Sequence, residues 1–477
     1  MNLRRLAITA AVLSALAFPL NAGALNLPGA VALSLPTPNA GLNQGYLPYQ
    51  SCPSLGNCVL TGIYVDNKGY TQGVIESETR GTWGALKVVA PHGAVASKGV
   101  SIDGVACSSP GNCVVVGDYS TTTNQLPFAV VETKGVWRAS TPLPLPANAS
   151  ASAETAAPHS IACVAVGTCT VVGTYTISTP SFATEGFLLD EVKGVWRTPV
   201  ALTLPVGANV NPFVTLTQVA CTSSSTCTAI GSYVDANNVS HALVVSRTAG
   251  IWRRALNLAL PANASAFAGA QVNELACAPD ANCVAAGTYN TLTGAVEPLV
   301  ALSSAGVWNR AYEVNLVNPA NNPESLFYGF KGAACASPGN CVVGGQYLDK
   351  NGHYQGFFAN TVNGVLQRAQ VLRLPTGGQQ AGHNGGVVAV SCPVVGSCVA
   401  GAAYLNATGQ YEATVVSESR NVWLPGTTVT LPRPATTVGV AGGIYALVCL
   451  SPTACQVSGS YQSSPTRYDG FTLVTGA

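Results

Sequence analysis

The residues best equipped for chemistry in this chain of 477 residues are its sixteen cysteines, which fall into eight pairs with five residues between partners. The pairs are Cys52/Cys58, Cys107/Cys113, Cys163/Cys169, Cys221/Cys227, Cys277/Cys283, Cys335/Cys341, Cys392/Cys398 and Cys449/Cys455. Thiols at short fixed spacing either oxidise to local disulfides or hold a soft metal. Zinc needs four converging ligands; each pair offers two, and no histidine stands at a repeated position. Eight local disulfides are therefore expected, with no metal site, in an exported protein of an oxidising compartment. For a loop of about seven residues the chain-entropy argument gives roughly 2.4 kcal/mol per bridge.

The other candidate groups are sparse. Five histidines, His92, His159, His241, His353 and His383, stand at different offsets from the cysteines, so they form no symmetric ring of ligands. All five are expected on the face that carries the long connections, as candidate binding-face residues on a rigid frame. Asp66-Asn67-Lys68-Gly69 and Asp349-Lys350-Asn351-Gly352 lack the spaced oxygen series of a calcium loop and read as turns. No catalytic constellation and no cofactor motif is present.

The elements that position these groups repeat every 55–58 residues. Six residues after each second cysteine stands a tyrosine: Tyr64, Tyr119, Tyr175, Tyr233, Tyr289, Tyr347, Tyr404 and Tyr461. All six tryptophans occupy a Gly-x-Trp element, at Trp83, Trp137, Trp196, Trp252, Trp308 and Trp423, with Leu366 in the seventh place. Asn421 replaces the glycine once, which marks a left-handed backbone site in a tight hairpin turn. Each unit reads as four strands: one running into the first cysteine, one beginning at the second, one like Phe128–Glu132, and one carrying the tryptophan. The position four residues after the second cysteine is glycine in seven units and Ala402 in the other. A glycine there implies close approach of a neighbouring sheet.

Four-stranded units repeated eight times predict an all-β, eight-bladed β-propeller of antiparallel blades. The eighth unit lacks its own last strand, and Leu33-Ser34-Leu35-Pro36 stands 16 residues before Cys52, the offset of Pro205 from Cys221. The N-terminal strand should therefore complete the last blade and close the ring, hiding an open edge.

The Cys-x5-Cys-x5-Tyr and Gly-x-Trp unit resembles the eight-bladed propeller superfamily, and within it secreted bacterial repeat proteins. The resemblance spans residues 31–477 and implies fold alone, since such rings host enzymes, receptors and scaffolds. Glu78, Glu132, Glu191 and Glu418, five residues before the tryptophan, give a likeness to quinoprotein dehydrogenases, whose cofactor plane and calcium cluster find no counterpart.

Arg4 and Arg5, the apolar run Leu6–Leu20 and Ala22-Gly23-Ala24 have the order of a signal peptide over residues 1–24. One domain over 25–477 follows, with no integral membrane segment. Charged residues are 9% of the chain; without Arg4 and Arg5, 19 basic residues face 20 acidic ones. That balance implies no basic surface for nucleic acid or anionic lipid. The resulting expectation is a secreted or periplasmic, non-catalytic propeller that binds a protein or glycan through its loop face, or acts as an envelope scaffold. The alternative is a propeller enzyme of quinoprotein-dehydrogenase or glycoside-processing type.

Overall fold

A computed structural model describes residues 27–33, 45–150, 155–178, 183–267, 269–317, 327–376, 378, 385–432, 442–464 and 467–476. The leader and His383 lie outside them. The rest form eight antiparallel sheets arranged as blades of a ring. The inner strands are Tyr46–Ser54, Val100–Ser109, Ala156–Ala165, Thr215–Ser223, Ala270–Ala278, Phe327–Ser337, Gly386–Val394 and Gly442–Cys449, in blades 1 to 8. Each packs against the inner strands of its two neighbours, and blade 1 against blade 8.

The second strands show why β-branched residues dominate. Asn112–Ser120 of blade 2 is buried along nearly its whole length, because neighbouring blades cover both faces of the sheet. Val, Ile and small residues suit such a doubly covered strand. The fourth strand comes in two pieces: Val136–Trp137 and Thr141–Pro142 both pair with Gln125–Thr133. Among the described residues the only helix is one 3-10 turn, Ala96–Lys98. Among the described residues no helix is long and apolar enough to cross a membrane.

The N-terminal strand closes the ring. Val31–Ala32 pairs with Arg467–Val474 of blade 8 through Val31↔Thr472 and Ala32↔Phe471. The Leu33 amide donates to the Gly470 carbonyl at 2.9 Å, and its side chain is buried with Leu47, Leu60 and Val74 of blade 1. One short segment thus completes blade 8 and packs on blade 1.

All eight cysteine pairs are disulfides: Cys52–Cys58, Cys107–Cys113, Cys163–Cys169, Cys221–Cys227, Cys277–Cys283, Cys335–Cys341, Cys392–Cys398 and Cys449–Cys455. Most partners face each other across the hairpin, as do Cys107↔Cys113 and Cys221↔Cys227. The bridges are nevertheless not the chemical centre that sixteen sulfurs in a sequence bring to mind. The second cysteine of every pair, Cys58, Cys113, Cys169, Cys227, Cys283, Cys341, Cys398 and Cys455, is buried at the root of the second strand. Cys58 and Cys227 are only 1% and 2% exposed, so these sulfurs are core atoms rather than ligand or redox groups open to solvent. The cause is the same double covering: Cys113 packs with Val59 of the preceding blade and Cys227 with Val172. Cys227 also accepts a hydrogen bond at Sγ from Arg247 Nη2 at 2.9 Å.

On the same side the tryptophan turn leans on the disulfide hairpin: the Gly135 amide donates to the Gly111 carbonyl at 2.9 Å. Lys134 and Gly135 have φ of 51° and 78°, as a type I′ turn demands, and Arg420-Asn421 does the same without glycine. Three of the tryptophans then fasten one blade to the one before: Trp137 Nε1 donates to Ser77 Oγ at 2.9 Å, Trp252 Nε1 to Asp190 Oδ2 at 3.3 Å and Trp423 Nε1 to Asn360 Oδ1 at 3.2 Å.

The position five residues before the tryptophan is also structural. Glu418 Oε2 accepts from the Cys398 amide at 3.1 Å, and Ser303, Thr361 and Thr475 do the same for Cys283, Cys341 and Cys455. In blade 4 Arg247 takes this place, pairs with Asp190 of blade 3 and lies over Trp252 at 5.5 Å.

The repeated glycine has a different cause from the one expected. A Cβ on Gly117 would sit 2.1 Å from the Ser101 carbonyl and 3.0 Å from the Phe128 ring, and one on Gly231 1.8 Å from the Thr215 carbonyl. The crowding comes from the inner and third strands of the same blade, not from a neighbouring sheet. Its origin is a bulge: the ladder slips between Ile102 and Gly104 in blade 2 and between Leu216 and Gln218 in blade 4. A bulge bends its strand, which here drives a carbonyl onto the second strand where only hydrogen fits.

Candidate central-channel site

The bulge builds the site. In blades 2 to 8 the unpaired residue lies four before the first cysteine: Asp103, His159, Thr217, Asn273, Lys331, Val388 and Tyr445. In blade 1 the slip takes in Leu47 and Pro48. Six of these seven, with Pro48, line a cavity of about 480 Å³ on the ring axis. Asn273 turns aside and donates to the Phe330 carbonyl at 2.9 Å. A position held in the same backbone feature therefore carries a different residue in every blade, eight types in eight.

The lining divides into two arcs. Blades 2 to 6 contribute the polar Asp103, His159, Ser160, Thr217, Gln218, Glu274 and Lys331 beside apolar Val105, Ile161, Val219, Leu275 and Ala333; blades 7 and 8, apart from Tyr445, contribute only apolar Val388, Ala389, Val390, Ala446, Leu447 and Val448. The polar arc is braced by hydrogen bonds. Gln218 Nε2 donates to Glu274 Oε2 at 3.2 Å, and its Oε1 accepts from the Leu275 amide at 2.6 Å. Ser160 Oγ accepts from the Val219 amide at 3.1 Å. His159 Nε2 lies 2.9 Å from Thr174 Oγ1.

Burial controls protonation here. Desolvation pushes Glu274 up to about 7, against the Gln218 hydrogen bond and the Lys331 charge. Burial raises Asp103 as well, helped by the charge and hydrogen bond of Asp118, and burial also raises Asp118. Two carboxyls in contact cannot both ionise cheaply, so the Asp118 charge adds to burial in favouring the protonated form of Asp103. Tyr49 is pushed up to about 12 by burial first and the Asp103 charge second, and burial lowers His159.

Beside the channel, between blades 8 and 1, is a slot of about 440 Å³ lined by Tyr46, Tyr445, Tyr468, Ile63 and Val65. Tyr46 and Tyr445 meet edge to face with centroids 4.6 Å apart, and Tyr445 belongs to both cavities. A third cleft, about 830 Å³ between blades 2 and 3, lies beside Trp196 and Val131 on the disulfide side. Val131 stands where Ser77, Asp190 and Asn360 receive a tryptophan N–H, so this cleft is a gap in the inter-blade fastening.

The expected histidines separate. His92 is exposed in the connection from blade 1 to blade 2. His241 and His353 lie where the second strand returns to the third; His241 Nε2 is 3.1 Å from Asp235 Oδ2, and His353 Nδ1 is 3.8 Å from Asp349 Oδ1. His159 is not in a connection at all. Its inner strand begins at Ala156, and the bulge turns it into the channel. Asp66 Oδ1 accepts from the Lys68 and Tyr70 amides at 2.9 Å each, and Asp349 Oδ1 caps its own turn in the same manner. Among the described residues no three His, Cys, Asp or Glu converge as metal ligands.

Sequence reasoning followed residue types that recur and so passed over the column four residues before the first cysteine. Its signal was variation: aligned on the cysteines, it is a column of mostly polar residues in which no two blades agree.

No protein-family model matches the chain, and no curated protein matches it. Among solved structures it is similar to an ulvan lyase of a polysaccharide lyase family, at 8% identity over 95% of this chain and 98% of that one, with a TM-score of 0.43. It is also similar to a Hadza microbial sialidase, at 10% identity over 85% and 73%, TM-score 0.37. A post-proline cleaving enzyme from Rickettsia typhi matches at 10% identity over 86% and 57%, TM-score 0.43. At such identities these likenesses bear on fold alone.

Proposed function

We propose that this protein is an exported, non-catalytic propeller that binds a glycan at the mouth of its central channel. The observation that carries the reading is the bulge column, where one repeated backbone feature presents eight different residues. A scaffold needs no such variation, and an asymmetric polar ligand does. The two arcs suit a sugar, whose hydroxyls meet Gln218, His159 and the carboxyls while its C–H face meets Val388, Leu447 or the Tyr46/Tyr445 slot. The cavity volume is that of a small-ligand site. Eight intramolecular disulfides point to an oxidising compartment, and the leader over residues 1–24 supplies the export signal.

A glycan panel tested by calorimetry examines this reading. The wild-type protein should bind at least one oligosaccharide, and His159→Ala should weaken it by about tenfold while leaving the melting temperature unchanged; Gln218→Ala should weaken it too and also lower the melting temperature, since the Leu275 amide and Glu274 lose their partner. A panel without binding overturns the glycan assignment.

The second reading is a glycan-processing enzyme, favoured by the buried Asp103/Asp118 carboxyl pair in the blade next to His159. Release of new sugar ends from any bound oligosaccharide, abolished by Asp103→Asn, would establish it in place of the first.

A further inference from the structure

The near-zero net charge conceals a basic rim that repeats from blade to blade. The turn before each tryptophan and the residues after it lie on the side of the disulfide hairpins, held there by the bonds from Gly81, Gly135, Gly194 and Gly364 to the hairpin carbonyls. Arg80, Lys134, Lys193 and Arg420 are exposed in those turns, and Arg138, Arg197, Arg253, Arg310 and Arg368 are exposed just past the tryptophan position. None of these nine is in an ion pair among the described residues. Glu78, Glu132, Glu191 and Glu418 are buried beneath the turns, and Asp280 is exposed at one hairpin tip. On the opposite face acids and bases mix: Asp66, Asp235 and Asp349 hold its turns, Glu185, Glu297 and Glu412 begin its third strands, and Lys68, Lys98 and Lys350 are exposed among them.

The basic rim also carries an apolar belt. The residue immediately before the tryptophan position is Val136, Val195, Ile251, Val307, Val365 and Val422 in six successive blades, and each is 52–69% exposed. Core packing does not require these side chains. Hairpin tips on the same side add exposed Val166, Val394, Val395 and Leu450. Scattered surface apolar residues need no explanation, but a β-branched residue exposed at the same place in blade after blade, alternating with exposed cations, does.

We infer that the disulfide face docks on an anionic phospholipid surface, with the Arg/Lys rim against headgroup phosphates and the Val/Ile belt at the headgroup–acyl boundary. Ring symmetry sets the repeated turns at one height, so a planar partner meets all of them together, whereas a peptide or a single polymer strand meets one or two. Weak contacts that engage together add as avidity. Guanidinium groups chelate phosphate, basic residues are drawn to anionic leaflets, and apolar side chains beside them enter the interface.

Vesicle co-sedimentation of the intact protein tests the inference, with phosphatidylglycerol-rich and pure phosphatidylcholine vesicles and with immobilised dextran sulfate as a soluble polyanion. The wild type should prefer phosphatidylglycerol vesicles by about tenfold or more and lose that preference at high salt. The triple variant Arg138→Glu, Arg197→Glu, Arg253→Glu should abolish it. The triple variant Val136→Ser, Val195→Ser, Ile251→Ser should weaken vesicle binding several-fold yet leave dextran sulfate binding unchanged. These sites are exposed, and an unchanged melting temperature verifies folding. Equal binding to both vesicle types, or a serine triple that binds vesicles like the wild type, overturns the membrane assignment; the latter outcome assigns the rim to polyanionic polymers.

Discussion

The two ends of an inner strand behave differently. At the cysteine end the blades repeat one solution: a disulfide in all eight, a turn bonded to the hairpin carbonyl in seven and a tryptophan in six. Four residues earlier, at the bulge, no two blades agree. Packing imposes one answer wherever the surroundings are the same, and the surroundings are the same in every blade. Where the side chain instead meets the channel, packing makes no demand and the residue is free to follow a ligand. The comparison teaches that in a repeat protein constancy marks the frame and variation at constant geometry marks the site.

The largest test of the frame is its closure. Deleting residues 25–40 removes Val31–Ala32 from blade 8 and Leu33 from the blade 1 contact, and should lower the melting temperature by on the order of 10 °C by calorimetry. A truncated chain that melts like the full one would show that the ring is held without its N-terminal strand. A smaller effect separates the two ends within one blade. Gly117→Ala places a Cβ 2.1 Å from a backbone carbonyl and should cost about 1–3 kcal/mol in denaturant unfolding. His159→Ala, at the bulge of the next blade, should stay within about 0.5 kcal/mol. Equal costs would erase the distinction.

The smallest effect is in the pH dependence. Burial pushes Glu76 from its ordinary 4.5 up to about 7 and raises Glu78 and Glu191 in the same direction. A carboxyl that keeps its proton to higher pH when folded than when unfolded binds more protons in the native state between those values. Stability is then complete below the unfolded value and falls as pH rises toward about 7 for Glu76. Melting should be higher at about pH 5 than at about pH 8, and Glu76→Gln should flatten the difference. Stability that rises with pH across this window would contradict the burial of these carboxyls as acids.

Much of this was legible before any coordinates. Cys107/Cys113, the Lys134-Gly135 turn and the offset of Pro36 from Cys52 are local or periodic signals, and each specifies a backbone arrangement without reference to distant residues. The pairing of Cys58 and Cys227 was legible in the same way, whereas their burial was not, because the atoms that cover them belong to other strands and neighbouring blades. Gly117 was legible as a crowded position, but the crowding atom was not, because a bulge is a defect of register between strands and leaves no composition of its own. His159 was misplaced for the same reason: one extra residue in the ladder converts the end of a connection into a channel wall.

The sequence by itself determined the blade, its number, its disulfides and its closure, since these rest on periodicity and short-range covalent and turn chemistry. Only the tertiary structure decided which residues meet. Circular packing gathers eight positions, each 55–58 residues from the next, around one axis, and it sets the cations of the repeated turns around one rim although the net charge is near zero. Both follow from where a closed ring puts its strand ends, which no single repeat contains.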